Sequence, residues 1–240
     1  MKVNKSFVYK LSVDFMMIAL FLLHAGGDLL AETLFVFYPI VERPNIIQTK
    51  LSESCPGVEV TVFGRINDFD AKMKEAPPDA ILSKPVVIAM NGNYAVQLQG
   101  SRSGKTDEAY VFLSVDKGVD PAGLSSATVG MLDILSRKEM TAFVEGFLKP
   151  APQLKRVTKM EDLLPLLTFN MASAILISEN AVNYFKSVSQ LNFVVTPASG
   201  MKTGIIALAV KKDGAADKTI KAIKEMKSDI NTLLEVDSWK

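Results

Sequence analysis

Runs of apolar residues alternate with helix-like stripes through most of this chain. Leu34 to Val41, rich in Phe, Val and Ile, predicts a first strand. Glu42-Arg43-Pro44-Asn45 then opens a helix, with proline in the first turn, where a missing N–H leaves no bond unmade. Val58 to Phe63 reads as a second strand, and Phe69 to Ala76 as a short helix stopped by Pro77-Pro78. Asp79 to Ser83 reads as a third strand. Pro85 to Val96 is apolar and predicts a helix as far as Asn91-Gly92-Asn93, while Gln97 to Glu108 is polar and predicts a loop. Strands follow at Ala109 to Val115 and Thr128 to Leu132. Ile134, Leu135, Met140, Phe143, Val144, Phe147 and Leu148 recur at helical spacing until Pro150 and Pro152 end the pattern. Arg156 to Thr158 reads as a brief strand, and Thr158 with Glu161 has capping-box spacing before a leucine-rich helix bent by Pro165. Ala174 to Ile177, Asn192 to Thr196 and Gly204 to Val210 complete the strands. A final helix sets Ile220, Ile223, Met226, Ile230, Leu233 and Leu234 on one core-facing stripe.

Two of these phrases nearly repeat: Asp79-Ala80-Ile81-Leu82-Ser83 and Ser173-Ala174-Ile175-Leu176-Ile177-Ser178. Short apolar runs that end at a serine suit strands buried on both faces of a parallel sheet, where polar ligand contacts gather at the strand ends. The repetition predicts two lobes facing one cleft, in an α/β chain with right-handed crossovers.

The N-terminus has the layout of a secretory leader. Lys2, Lys5 and Lys10 precede the apolar run Phe15 to Leu23, and Ala25, Gly26 and Gly27 follow. The run is too short for the roughly 20 residues of a spanning helix. Cleavage after Gly27 and after Ala31 both fit. Removing residues 1–31 leaves 24 basic and 24 acidic residues, a balance that predicts no nucleic-acid partner. Cys55 is the only cysteine, which excludes an internal disulfide. The single histidine, His24, falls inside the leader, so no Ser-His-Asp or Cys-His arrangement and no imidazole base is expected in the mature chain.

Several phrases resemble the type II periplasmic solute-binding proteins, particularly the phosphate, phosphite and phosphonate-binding-like branch. These are Tyr38-Pro39, Pro78 to Ser83, Thr128 to Asp133, Ala109 to Asp116 and Ile205 to Val210, all in corresponding order. Asp133-Ile134-Leu135 stands where that branch has a Ser-Thr-Ser-Gly type anion loop. The resemblance implies a two-lobed α/β fold of mixed, mostly parallel sheets with flanking helices. It places lobe one at 32–116 plus 192–240 and lobe two at 117–191. It further implies a periplasmic, noncatalytic monomer that needs no cofactor and passes a small polar, anionic ligand to an inner-membrane ABC permease. A sensory or protein-interaction module with the same fold is the alternative.

Candidate ligand-binding residues lie near strand ends: Tyr38, Arg43, Arg65, Ser83, Asp133, Arg137 and Ser178. Arginines suit two-point binding of a carboxylate or phosphate, serines donate to anions or cap helices, and Asp133 caps a helix or meets a cationic or hydroxyl-bearing ligand. Gly100 to Thr106 imitates a nucleotide-binding loop but has three residues between its glycines where four are required. Ser114 with Lys117, and Ser199 with Lys202, have the spacing of some acyl-transfer enzymes without the helix start those need. An exported enzyme using carboxylates such as Asp79 and Asp133 has little support, since nothing in the sequence fixes their separation.

Overall fold

The computed structural model describes residues 31–240. The leader expected over residues 1–31, His24 included, lies outside the described residues except for Ala31. Among the described residues no helix is long and apolar enough to cross a membrane.

Two mixed sheets carry the chain. The first contains β1 (Glu32–Phe37), β2 (Val58–Val62), β3 (Ala80–Ser83), β4 (Tyr94–Ser101), β10 (Ala207–Lys211) and β11 (Ser238–Trp239), in the order β11-β4-β10-β3-β1-β2. The second contains β5 (Asp107–Val115), β6 (Thr128–Leu132), β7 (Gln153–Val157), β8 (Ala174–Ser178) and β9 (Phe193–Gly204), in the order β7-β6-β8-β5-β9. β2, β1 and β3 pair in parallel, as do β7, β6 and β8, whereas β10 and β5 run against their neighbours.

The repeated apolar phrases are apolar throughout because both faces of their strands are covered. In β3, Ala80 and Leu82 enter one buried cluster with Ile47, Leu51 and Ile223, while Ile81 points the other way. In β8, Ile175 and Ile177 join Leu163 and Phe185, while Ala174 and Leu176 face back. This is the period-two alternation of a strand with each face buried. Phe35, Phe37 and Ile81 of the first sheet and Val129, Met131 and Leu176 of the second belong to one central cluster.

The expected division at 116 and 192 does not follow the sheets. It puts β5 and β9 with lobe one, but β5 pairs with β8 from Tyr110↔Ser178 to Ser114↔Ala174 and with β9 along its length. Both strands therefore belong to the second sheet, and the chain crosses between sheets at 102–106 and at 204–206. Strand pattern alone carries no sign of which sheet a strand will join; backbone pairing decides it.

Several element readings also change, among them the strands expected at Asn192 to Thr196 and Gly204 to Val210, since β9 runs on through Gly204 and β10 starts at Ala207. The helix at Pro85 ends at Ala89, and Tyr94 to Ser101, read partly as loop, is β4, with Tyr94 and Leu98 buried on it. The loop Gly100 to Thr106 holds a tight hairpin turn in which Ser103 and Gly104 have φ of 49° and 78°, and Arg102 pairs with Lys105. Positive φ at both central positions is the geometry that lets a two-residue turn follow the twist of its strands, so this glycine serves a turn and no phosphate. The last helix is two, Asp217–Lys224 and Ser228–Leu233, yet its stripe still faces inward at Ile223, Met226, Ile230 and Leu234.

Candidate ligand-binding site

Parallel neighbours end together, so Tyr38 after β1, Lys84 after β3, Leu132 ending β6 and Ser178 ending β8 converge where the two sheets meet. All four line an inner chamber of about 80 Å³. The reversed strand β5 adds Glu108 and Tyr110 from its start, and Glu235 enters from behind the last helix. A wider outer groove of about 520 Å³ lies beside it, lined by Arg43, Pro44, Phe63, Arg65, Asp68 and Lys159 among others. Tyr38, Pro39, Ile40, Val41 and Met160 line both spaces, which form one cleft between the sheets.

The inner chamber is built around a buried ion pair between the sheets. The Lys84 ammonium, on the first sheet, donates to the Glu108 carboxylate, on the second; both residues are 6% exposed. Lys84 also donates to the Ile205 carbonyl at 3.4 Å and stands 5.4 Å from the centre of the Tyr38 ring. Burial by itself would lower the Lys84 pKa, but Tyr110, Glu108 and the Glu108 hydrogen bond hold it above the ordinary value. Asn180 donates to the second Glu108 oxygen at 3.4 Å. Burial raises the Tyr38 hydroxyl well above the usual range, with Glu235 next in effect, so Tyr38 is a neutral phenol. The Glu235 pKa is also raised by burial, against the pull of Arg102, which pairs with it at 3.5 Å. Among the described residues the charges at the bottom of the cleft thus already have partners, and the walls between them are Met131, Leu132, Ile134, Leu176 and Ile177.

The outer groove differs in kind. Arg43 and Arg65 occupy the residue before the helices Pro44–Ser54 and Ile66–Glu75, and neither position makes a side-chain cap. Because β1 and β2 are paired in register, both helix starts open on the same groove. Among the described residues neither arginine has a carboxylate oxygen within 4.0 Å.

Of the seven residues singled out from sequence, Tyr38 and Ser178 line the chamber, and Arg43 and Arg65 line the groove with Tyr38. The other three lie outside both linings. Ser83 is fully buried, its hydroxyl donating to the Phe37 carbonyl and tying β3 to β1. Asp133 pairs with Arg156 of the neighbouring strand at 3.2 Å, its pKa raised by burial against that arginine. Arg137 is exposed in the first turn of the helix Arg137–Phe147. Asp79, a candidate carboxylate for catalysis, accepts from the Thr33 N–H and hydroxyl at 2.8 and 2.9 Å, at the strand end remote from the cleft. Ser114 donates to the Lys117 carbonyl at 2.6 Å, a turn contact with no catalytic geometry.

Sequence reasoning missed Lys84, Glu108, Tyr110, Lys159 and Glu235. For Lys84 a signal was present, since a lysine that directly extends a buried strand and precedes a proline has little room to reach water. Glu108 gave none, because the polar run around it reads as solvated loop.

No family model and no curated protein matches this chain. Solved structures do, across most of its length. An amino acid ABC transporter substrate-binding protein from Streptococcus pneumoniae, bound to L-arginine, superposes at TM-score 0.58 and 13% identity, covering 86% of this chain and 95% of its own. A variant of ArgBP from T. maritima gives 0.56 and 15%, covering 85% and 94%. The VFT2 domain of Bordetella pertussis BvgS gives 0.54 and 13%, covering 88% and 94%. The fold is therefore the two-lobed α/β fold of periplasmic binding proteins.

Proposed function

We propose that residues 32–240 form a noncatalytic binding module that holds a small solute between the two sheets and presents it to a membrane transporter of the ABC type. The observation that carries this reading is the continuous cleft, whose outer groove lies within the roughly 300–1,000 Å³ of small-molecule sites. Hinge closure about the crossovers at 102–106 and 204–206 is the motion such a layout permits. Export through the leader at residues 1–31 and a monomeric state belong to the same proposal. The phosphonate branch gains no support from the solved structures named above, one of which holds L-arginine.

Thermal unfolding in the presence of organic acids, amino acids, oxyanions and phosphonates tests the module directly. A guest that binds only the folded state raises the midpoint with concentration. A folded sample whose midpoint moves for no compound would remove the proposal.

One observation favours a sensory or protein-interaction reading as the second choice. The central cluster joins apolar residues of both sheets, and the Lys84–Glu108 pair spans them, so the protein's own contacts link the two lobes. Small-angle scattering separates the two readings. A radius of gyration that shrinks with a small-molecule guest favours capture, and one that responds only to a protein partner favours the module.

A further inference from the structure

We propose, resting on the capture reading above, that the guest is a monocarboxylic acid with a short aliphatic body, seated with its carboxylate in the outer groove and its alkyl end in the inner chamber. The shared wall of Tyr38, Ile40, Val41 and Met160 lets one molecule span both spaces.

The inner end of the guest is apolar because the chamber offers a charge no free partner. Lys84 is taken by Glu108, the Ile205 carbonyl and the Tyr38 face, and Glu235 by Arg102. A charged group there would lose its water and meet no free charge of opposite sign, only neutral groups such as the Tyr38 and Ser178 hydroxyls. Size sets the second limit. An apolar cavity of about 150 Å³ admits benzene, so a chamber of about 80 Å³ favours a short, branched alkyl group over a ring.

The outer end is a monoanion. Arg43 and Arg65 face the groove without a carboxylate partner among the described residues, and a guanidinium binds a carboxylate through two parallel bonds. The three acids in the groove are placed by the backbone around them. Glu42 accepts from the Arg43 N–H at 2.9 Å, and Asp68 and Glu161 stand in the first turns of their helical segments, where a negative charge is favoured. Three basic and three acidic side chains leave the groove with no formal excess charge. A dianion such as a fully ionised phosphonate would leave this groove two negative charges in excess, a single carboxylate only one.

Titration calorimetry at about pH 9, where methylphosphonate is a dianion, with isovalerate, acetate, benzoate, methylphosphonate and L-leucine decides the matter. Isovalerate is expected to bind most tightly of the five. The double change Arg43→Gln with Arg65→Gln, on exposed side chains, is expected to weaken isovalerate about tenfold or more, the scale of a lost charged hydrogen bond. Ala181→Leu, which puts bulk into the chamber, should erase the advantage of isovalerate over acetate while leaving acetate binding in place. Tighter binding of methylphosphonate, benzoate or L-leucine, or indifference of isovalerate to the arginine changes, overturns the ligand class and leaves the capture reading standing. Silence from all five compounds together with an unmoved midpoint across the wider panel overturns both.

Discussion

At the scale of single residues, the Lys84–Glu108 pair is the strongest commitment the chain makes. Two charges at 6% exposure are tolerable only together, because each alone would be buried and uncompensated. Lys84→Met should therefore cost about 3–5 kcal/mol in chemical unfolding, whereas Lys84→Met with Glu108→Leu should recover most of that loss. Equal destabilisation by the single and double changes would show that packing, not charge, is what the site needs. Asp70 gives a pH-dependent counterpart. Burial raises its pKa, Lys74 opposes and Glu139 adds to the rise, so its folded value exceeds its unfolded one. A raised acid contributes stability that is full below the unfolded value of about 3.9 and lost as pH climbs through the folded value. Asp70→Asn is expected to raise the melting midpoint at neutral pH and leave it unchanged near pH 3; a uniform shift at both would contradict the assignment. Cys55, 1% exposed and with its thiol pushed up to about 11 by burial, should resist a thiol reagent at pH 7 until the protein is unfolded. Rapid native-state labelling would disprove its burial.

At the scale of elements, the crossover at Gly204 is a close joint between the sheets. A Cβ there would lie 2.3 Å from Cγ and 2.8 Å from Cδ of Pro85, the first residue of the helix Pro85–Ala89. Pro85 is a ring on a short helix and cannot swing aside as a flexible side chain would. Gly204→Ala should cost about 1–3 kcal/mol, as overpacking does, and a differential scan showing no loss would mean that the strand can shift freely. How far these elements were legible follows from their periodicity. β1, β3, β6 and β8 stood out because their apolar runs are bounded by turns. β4 did not, since Gln97, Gln99 and Gly100 dilute its pattern, and only pairing with β10 and β11 makes those residues a strand.

At the scale of the whole molecule, two sheets meeting at their strand ends make a cleft that neither sheet has alone. If that cleft captures a guest, a ligand at 100 times its dissociation constant should add about 2.7 kcal/mol to stability and compact the particle in scattering. Stabilisation without compaction would locate binding elsewhere. The amino-acid order by itself determined the alternation of strands and helices, the doubled apolar phrase that marks two lobes, and the want of histidine after position 24, because each is a property of neighbouring positions or of composition. It also put Tyr38, Arg43, Arg65 and Ser178 near strand ends. Tertiary structure alone decided that β5 and β9 belong to the second sheet, that Lys84 meets a glutamate 24 positions away, and that Asp133 and Ser83 hold strands together. The physical reason is that pairing register and side-chain direction arise from contacts between segments distant in the chain, which no local pattern encodes.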